Sequence, residues 1–211
     1  MDAGVLPVKR LSEAKHRLAK RFGDVNRRAI AEALLEDALE LCHESDFLQW
    51  WVVSDDDVVL ERADREGLRT ITDPGTGLNS AVATAAAVVL AAGADSVTVV
   101  PVDVPLAWRG DIQDLLDTGA TSDVVVVPSE RDGGTNGLYL SPPDAMTPRF
   151  GSGSLRAHVA QAERLGYRCS ILSLPRLGLD LDTERDVEMF LSRAHGQPGA
   201  SRTHAILSSL L

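Results

Sequence analysis

The chain is short of cysteine, of aromatic residues and of long hydrophobic runs, and each shortage excludes a class of protein. Its two cysteines, Cys42 and Cys169, stand far apart without a CxxC pair, which argues against a disulfide framework and against a zinc site. Aromatic residues make up 4% of the 211 residues, too few for a platform that stacks nucleic-acid bases. The longest apolar run, residues 81–94, is rich in alanine and too short to span a bilayer, so it predicts a buried helix and no membrane partner.

Basic residues are also outnumbered. The chain has 21 Lys and Arg against 31 Asp and Glu, which gives a formal net charge of −10. An acidic chain lacks the broad basic face that phosphate backbones recruit, so nucleic acid is excluded as a general partner. The N-terminus carries Asp2 and no continuous apolar segment, which predicts no signal peptide, and the few cysteines fit a cytoplasmic location. A protein of this charge that handles phosphates needs local cations or a metal ion.

Apolar segments rich in Val and Ile alternate with segments of helical period, a pattern typical of βαβ units. We find no internal repeat and no interdomain linker. The sequence therefore predicts one Rossmann-like α/β domain with a mostly parallel central sheet over residues 1–195. Residues 196–211 are predicted to be a mobile tail with a last helix near 204–211. The predicted strands are 4–8, 48–53, 68–72, 96–102, 123–127, 137–140 and 168–174, and the predicted helices are 12–22, one capped by Asp24, one capped by Asp56 or Asp57, one from Leu78, 154–165 and 184–194.

A basic segment, residues 9–21, follows the first predicted strand. In open α/β sheets, ligands bind beyond the carboxyl ends of the strands, so the residues that follow a strand are candidates for a site. Composition alone does not distinguish a solvated helix face from a phosphate-binding segment. Its position after a strand expected to lie centrally favours the binding of a polyphosphate. Its cationic side chains are Lys9, Arg10, Lys15, His16, Arg17, Lys20 and Arg21.

Carboxylates follow two other predicted strands. Asp103 comes directly after a strongly apolar strand, and Asp180 and Asp182 follow a later one. Aspartates at strand ends can hold Mg²⁺ and leave open positions for the phosphates of a substrate. Two alternatives remain at this point: Asp103 forms only a turn, and Asp182 or Thr183 is only a helix N-cap.

Glycine-rich segments supply further candidates, although no GxxxxGK[ST] and no GxSxG motif occurs, so neither a P-loop nor a serine nucleophile is predicted. Residues 151–154 precede a helix and offer backbone N–H groups to one phosphate or carboxylate, or else Ser154 simply caps the helix. The turn at 132–136 either only joins two strands or brings the Thr135 hydroxyl to an anionic ligand. Asn79, at a helix start, is either a cap or a contact for a base or ribose.

Taken in order, these segments resemble one family, the 2-phospho-L-lactate guanylyltransferases of coenzyme F420 biosynthesis, which includes phosphoenolpyruvate guanylyltransferases. No single motif is specific, but their combination and order are, and together they cover about residues 5 to 191. Departures from the family pattern are Val102, Val104, Leu181 and Glu184, of which Val104 bears on the acceptor pocket. The matching stretches are Pro7-Val8-Lys9, Ala14 to Leu18, Gly77-Leu78-Asn79, Asp103 to Leu106, Gly133 to Leu138, Phe150 to Leu155, and Asp180 to Thr183 with Asp186.

The resemblance implies a nucleotidyltransferase with a glycosyltransferase-A-like fold. Such an enzyme transfers GMP from GTP to the phosphate of 2-phospho-L-lactate, phosphoenolpyruvate or 3-phospho-D-glycerate, and pyrophosphate leaves. The resemblance implies that Lys15 and Arg17 bind the triphosphate and act in catalysis, and that Pro7, Lys9 and Asn79 bind the nucleotide. It implies Mg²⁺ binding for Asp103, Asp182 and Asp180, with Asp103 also catalytic. Thr135, Gly151 and Ser154 are implied to bind the phosphorylated acid.

Two other functions stay open on the sequence alone. The chain could be another nucleotidyltransferase of the same fold, acting on molybdopterin or a sugar phosphate, although the absence of glycine between Lys9 and Arg17 counts against it. It could also be a non-catalytic nucleotide-binding module. The adjacent Trp50 and Trp51 belong either to the core or to an interface, and an interface would make the protein a homodimer.

Overall fold

The computed structural model of the chain describes residues 1–73, 75–194 and 201–211, and a single sheet runs through them. Its strands are β1 (Asp2–Val8), β2 (Gln49–Ser54), β3 (Arg69–Thr72), β4 (Ser96–Val99), β5 (Val124–Pro128), β6 (Thr135–Leu140) and β7 (Cys169–Ile171). They lie in the order β3-β2-β1-β4-β6-β5-β7. Strand β6 is antiparallel to β4 and β5, while all other neighbours are parallel. The predicted α/β class with a mostly parallel sheet is confirmed, and β1 lies inside the sheet as expected.

Helices cover both faces of this sheet. Helices α5 (Ser154–Leu165) and α6 (Glu184–Ala194) have the predicted bounds, and Asp56 caps α2 (Asp57–Arg65) by accepting the Val58 N–H at 3.1 Å. Helix α4 (Arg109–Gly119) was not predicted. It begins where the Asp111 carboxylate accepts the Trp108 N–H at 3.1 Å, and it buries Ile112 and Leu115. The helices are α1 (Ala19–Glu44), α2 (Asp57–Arg65), α3 (Leu78–Ala91), α4 (Arg109–Gly119), α5 (Ser154–Leu165), α6 (Glu184–Ala194) and α7 (Ser201–Ser209).

The prediction of a helix over residues 12–22 is wrong. Two short 3₁₀ turns, Leu11–Glu13 and His16–Leu18, occupy the first part of this stretch, residues 19–22 belong to α1, and Lys15 between the two turns has a left-handed backbone. A left-handed residue cannot continue an α-helix, so the chain turns twice before α1 begins. The helix predicted from Asp24 does form, because the backbone leaves helical geometry at Gly23 (φ 77°, ψ 168°), just before that residue.

Alternation along the strands divides the core into two clusters, one on each face of the sheet. Along β2, Trp50 and Val52 pack with α1 and α4, while Trp51 and Val53 pack with α3. Both tryptophans are buried, so the first alternative for this pair, a place in the core, is correct. Gly4 lies opposite Trp50 in the sheet, and a Cβ on Gly4 would be 2.4 Å from the indole ring, which leaves room only for glycine.

A third cluster lies under the C-terminal part of the chain and includes Leu18, Leu34, Leu181 and Leu207. Leu207 belongs to α7, whose first turn donates the Arg202 and Thr203 N–H groups to Asp37 of α1 at 3.1 and 2.9 Å. Part of the predicted mobile tail, residues 196–200, lies outside the described residues. Helix α7, which follows these residues, packs on α1. Through the third cluster it is in the same apolar core as Leu18 and Leu181.

Two further expectations concern membranes and cysteines. Within the described residues, no helix combines the length and the apolar character that crossing a membrane requires. Both cysteines are free. Burial raises the pKa of the Cys42 thiol, which makes it an inert core residue at neutral pH.

Candidate active site

A cleft of about 480 Å³ opens at the edge of the sheet where β1 and β4 end. Because β6 runs antiparallel to its neighbours, its first residues reach the same edge. All the predicted site residues line this cleft except Asn79 and Ser154. The predicted residues that line it are Pro7, Lys9, Lys15, Arg17, Asp103, Thr135, Gly151, Asp180 and Asp182.

One backbone hydrogen bond brings the predicted carboxylates together. The Leu181 N–H donates to the Asp103 carbonyl at 2.8 Å, so the segment before α6 lies directly beside the loop that follows β4. Leu181 is buried in the third cluster, whereas Asp180 and Asp182 on either side of it line the cleft. The extended backbone thus directs alternate residues to the core and to the site.

Asp103 forms an ion pair with Lys15, whose Nζ is 2.9 Å from Oδ2. The Lys15 side chain is 7% exposed and that of Asp103 31%, so the ammonium is largely desolvated while the carboxylate still faces the cleft. Burial opposes ionisation of Asp103, but the charge and hydrogen bond of Lys15, with the charge of Lys9, outweigh it and lower the pKa of this carboxyl. Asp103 is therefore ionised at neutral pH.

Lys15 reaches Asp103 from an unfavourable backbone conformation. Its φ of 57° and ψ of 34° are left-handed, and among the described residues it is the one non-glycine residue with positive φ. Such conformations cost free energy and concentrate at functional sites. The conformation separates the two 3₁₀ turns and presents a desolvated cation to the end of β4.

Asp180 is held by three side chains. Its Oδ1 accepts from Ser129 Oγ at 2.9 Å and from Asn136 Nδ2 at 3.2 Å, and its Oδ2 accepts from Arg131 at 2.7 Å. Its side chain is only 10% exposed. Most of its hydrogen-bonding capacity is therefore used within the protein.

Asp182 is more open, with a side chain that is 26% exposed. It accepts from Arg17 at 3.0 Å and from Arg131 at 3.3 Å. The Arg131 guanidinium thus bridges Asp180 and Asp182, and it also lines the cleft. Arg131 was not singled out in the sequence, since it stands in the turn after β5 without a motif around it.

The basic segment divides between the cleft and the outer surface. Lys9, Lys15, His16 and Arg17 line the cleft. Others bond to acids elsewhere: Arg10 lies 2.7 Å from Asp55, and Arg21 lies 3.0 Å from Glu184. The segment as a whole is therefore not a single cationic surface, and its inner members supply the positive charge of the site.

Thr135 lines the cleft, and Ser154 lies behind it, fully buried, with its Oγ 3.0 Å from Thr135 Oγ1. The helix N-cap is Gly153, not Ser154. The Ser154 and Leu155 N–H groups donate to the carbonyls of Gly151 and Gly133, both at 3.1 Å. The first N–H groups of α5 are thus used within the chain, and Ser154 supports Thr135 from behind.

Asn79 holds the loop that carries Gly151. Its Oδ1 accepts the Phe150 N–H at 2.6 Å, and its Nδ2 donates to the Phe150 carbonyl at 3.1 Å. Phe150 and Gly151 line the cleft, so Asn79 fixes one wall of it. Val104, expected to bear on the acceptor pocket, packs instead in the core beneath the cleft.

The three predicted metal ligands differ in how well they suit Mg²⁺. Within residues 1–73, 75–194 and 201–211, no three His, Cys, Asp or Glu side chains group closely enough to hold a metal by themselves. Mg²⁺ usually takes one or two carboxylates and completes its shell with water and substrate phosphates. The partly exposed Asp103 and Asp182 suit that mode, and Lys15, Arg17 and Arg131 lie beside them as cations for the phosphates.

Sequence comparison places the chain among named transferases. A family model described as guanylyl transferase CofC like matches residues 3–207. A phosphoenolpyruvate guanylyltransferase of Sphaerobacter thermophilus is 36% identical over 93% of this chain and 95% of its own length. A 2-phospho-L-lactate guanylyltransferase of Methanothermobacter thermautotrophicus is 34% identical, over 91% and 85%. A 3-phospho-D-glycerate guanylyltransferase of Phenylobacterium zucineum is 34% identical, over 100% and 97%.

Solved structures share the fold at low sequence identity. A protein of Desulfovibrio desulfuricans G20 assigned to the nucleotide-diphospho-sugar transferases superposes with a TM-score of 0.81 at 17% identity, over 99% of this chain and 94% of its own. The 4-diphosphocytidyl-2C-methyl-D-erythritol synthase of Anaerococcus prevotii gives 0.64 at 8% identity, over 92% and 96%. A Mycobacterium tuberculosis protein solved with manganese gives 0.59 at 16% identity, over 91% and 98%. The fold is thus of the glycosyltransferase-A-like nucleotidyltransferase type.

Proposed function

The chain belongs to the CofC-like guanylyl transferase family, and from this premise we propose that it transfers GMP from GTP to the phosphate of a small phosphorylated acid. The observation that carries the proposal is that carboxylates and cationic side chains lie together in one cleft. Asp103 and Asp182 come from distant parts of the chain, and Lys15, Arg17 and Arg131 bond to them there. A site for phosphate transfer needs this combination of metal ligands and cations.

In the proposed reaction, a phosphate oxygen of the acid attacks the α-phosphorus of GTP. A new P–O bond joins the acid to GMP, the bond between the α-phosphorus and its bridging oxygen breaks, and pyrophosphate leaves with that electron pair. The attacking phosphate is already ionised, so no general base is required. The protein has to align the two phosphates and neutralise the charge that gathers on the leaving group.

The cations of the cleft are suited to the leaving pyrophosphate. Lys15 is held by its ion pair and by burial, so little side-chain freedom is lost when it binds a phosphate. Arg17, on the exposed side of the cleft, can bond two phosphate oxygens at once through its planar guanidinium. Lys9 adds positive charge on the same side, since it lowers the pKa of Asp103 together with Lys15.

We assign Asp103 and Asp182 as the residues that would hold Mg²⁺, with Asp180 orienting Arg131 beside them. Asp180 suits direct ligation less well because Ser129, Asn136 and Arg131 already bond to its oxygens. When bound there, Mg²⁺ would neutralise part of the negative charge of the phosphates. The related fold solved with manganese supports a divalent cation in this type of protein.

The acid is proposed to bind on the opposite side of the cleft, against Thr135 and Gly151. The Thr135 hydroxyl offers a donor, and the glycine permits close approach of the backbone at φ 131°. The curated relatives act on phosphoenolpyruvate, 2-phospho-L-lactate or 3-phospho-D-glycerate according to their names, and we propose an acid of this class for a step of coenzyme F420 biosynthesis. Asn79 would act through Phe150 in shaping the same wall.

The proposal is tested by supplying each of the three acids with GTP, ATP, CTP or UTP and Mg²⁺. We expect pyrophosphate only when an acid is present, and a product with the mass of GMP joined to that acid. The other nucleotides should react at least about 10-fold more slowly, since each lacks hydrogen bonds that a guanine site makes. A control with EDTA should give no product. Binding of GTP without turnover for any acid would favour the nucleotide-binding module, and equal use of all nucleotides would contradict the guanylyl specificity.

A further inference from the structure

We propose that His158 is a positioning residue which fixes the Thr135 hydroxyl as a hydrogen-bond donor to an ionised oxygen of the acid. His158 lies on α5 and is fully buried, one layer behind the cleft. The inference rests on the proposed function, because it names what Thr135 binds. It is based on the hydrogen bonds that the imidazole makes at Nε2 and at Nδ1.

The tautomer of His158 is set by a backbone group. The Arg149 N–H donates to Nε2 at 2.9 Å. A backbone N–H can only donate, so Nε2 must carry a lone pair. In a neutral imidazole the proton then resides on Nδ1.

That proton is directed at Thr135. Nδ1 of His158 lies 3.0 Å from Thr135 Oγ1, so the imidazole donates to the hydroxyl oxygen. Ser154 Oγ donates to the same oxygen at 3.0 Å. A hydroxyl has two acceptor positions and one proton, so both acceptor positions of Thr135 are taken. What remains is its own proton, and Thr135 lines the cleft.

Burial keeps this arrangement fixed. Desolvation, with the charge of Arg149, lowers the pKa of His158 to about 4, so the imidazole stays neutral at neutral pH. Arg149 is itself held by Gln161, whose Oε1 accepts from its Nε at 2.7 Å. The Phe150 ring meets the imidazole edge-on with centroids 5.3 Å apart. The groups that face His158 therefore leave it one orientation and one tautomer.

The consequence is a preference for acceptor-only ligands. Because the Thr135 hydroxyl can only donate, it needs an acceptor on the ligand. An ionised phosphate or carboxylate oxygen accepts more strongly than a neutral hydroxyl oxygen, so Thr135 favours the ionised group. The acid of the proposed reaction has such oxygens at both ends. The network of Arg149, His158 and Ser154 thus selects for negative charge at Thr135 without touching the ligand.

Two substitutions at His158 separate this role from a structural one. His158→Asn keeps an N–H near the position of Nδ1, while His158→Gln keeps an acceptor near Nε2 for Arg149 but offers no donor to Thr135. We expect His158→Gln to raise KM for the acid by about 10-fold, the effect of one lost hydrogen bond to a charged group, and to leave KM for GTP unchanged. His158→Asn should keep KM for the acid close to the wild-type value. Thr135→Val removes the donor directly and should give a similar rise, not additive with His158→Gln.

Nitrogen NMR of the ¹⁵N-labelled protein checks the tautomer without any substrate. We expect Nδ1 protonated and Nε2 unprotonated, with no titration between about pH 6 and 8. A proton on Nε2 would overturn the inference, and so would an unchanged KM for the acid in both His158→Gln and Thr135→Val. In either case, transfer of GMP by the wild type would leave the proposed function intact. Failure of the wild type to use any acid would overturn the proposed function and, with it, the ligand assigned to Thr135.

Discussion

The Asp103→Asn variant is expected to lose almost all release of pyrophosphate from GTP and the acid, while keeping its fold. Asparagine preserves the shape of the side chain and an oxygen that can accept from Lys15 at the position of the 2.9 Å bond. It removes the negative charge that a divalent cation needs. Removing one preorganised electrostatic contact from an active site lowers kcat by about 10²–10³-fold, and we expect a loss of at least this size. A coupled pyrophosphate assay at saturating GTP measures the loss.

The matched control for this variant is Asp114→Asn, an exposed aspartate on α4 outside the cleft. It removes the same charge from the chain and should leave kcat within a factor of about two, as surface substitutions usually do. Thermal unfolding of both variants checks that the fold is retained. Turnover by Asp103→Asn equal to that of the control would refute the assignment of Asp103 to the reaction.

The Lys15→Met variant is expected to lose most of its activity and to shift the acidic limb of its pH profile upward. In the wild type, burial raises the pKa of Asp103, but the charge and hydrogen bond of Lys15, with a backbone hydrogen bond and the charge of Lys9, together outweigh it, so the folded pKa lies below its ordinary value. Ionised Asp103 therefore contributes stability at neutral pH, and that contribution is lost as the pH falls through the folded pKa. Methionine keeps the length of the side chain but removes the charge and hydrogen bond of Lys15, so only Lys9 and a backbone hydrogen bond still oppose the effect of burial. The pKa of Asp103 therefore rises, and a higher pH is needed to ionise it.

Lys20→Met is the control, because Lys20 belongs to the same basic segment but is exposed and outside the cleft. Rates of both variants measured across the acidic range separate the two effects of Lys15. A lower maximal rate reports the lost cation at the pyrophosphate, and a shifted limb reports the pKa of Asp103. A Lys15→Met profile that overlays that of Lys20→Met would show that the ion pair has no part in the reaction.

The sequence predicted candidate site residues at the ends of strands, and the structure brings several of them to one cleft. Asp103 follows β4, and Lys9 follows β1, so the sheet itself delivers them to one edge. Asp180 and Asp182 arrive by an alternating extended segment, which the sequence shows as Leu and Asp in turn. These placements need no knowledge of side-chain contacts, because they follow from backbone periodicity.

Other residues could not be placed without tertiary contacts. Arg131 lies in a turn, and only the fold brings its guanidinium to Asp180 and Asp182. Ser154 directly follows Gly153 and Asn79 stands two residues after Gly77, yet their side chains bond to Thr135 and Phe150 within the protein. The prediction of a short helix over 12–22 is also wrong, because Lys15, which forms an ion pair with Asp103, has a left-handed backbone that interrupts it.

The anomalous difference map of crystals grown with Mn²⁺ and GTP, without acid, tests the central claim most directly. The account predicts one manganese peak in contact with the carboxylates of Asp103 and Asp182, with the β- and γ-phosphates against Lys15 and Arg17. Manganese bound away from both aspartates, or a triphosphate that lies outside the cleft beyond β1 and β4, would contradict it.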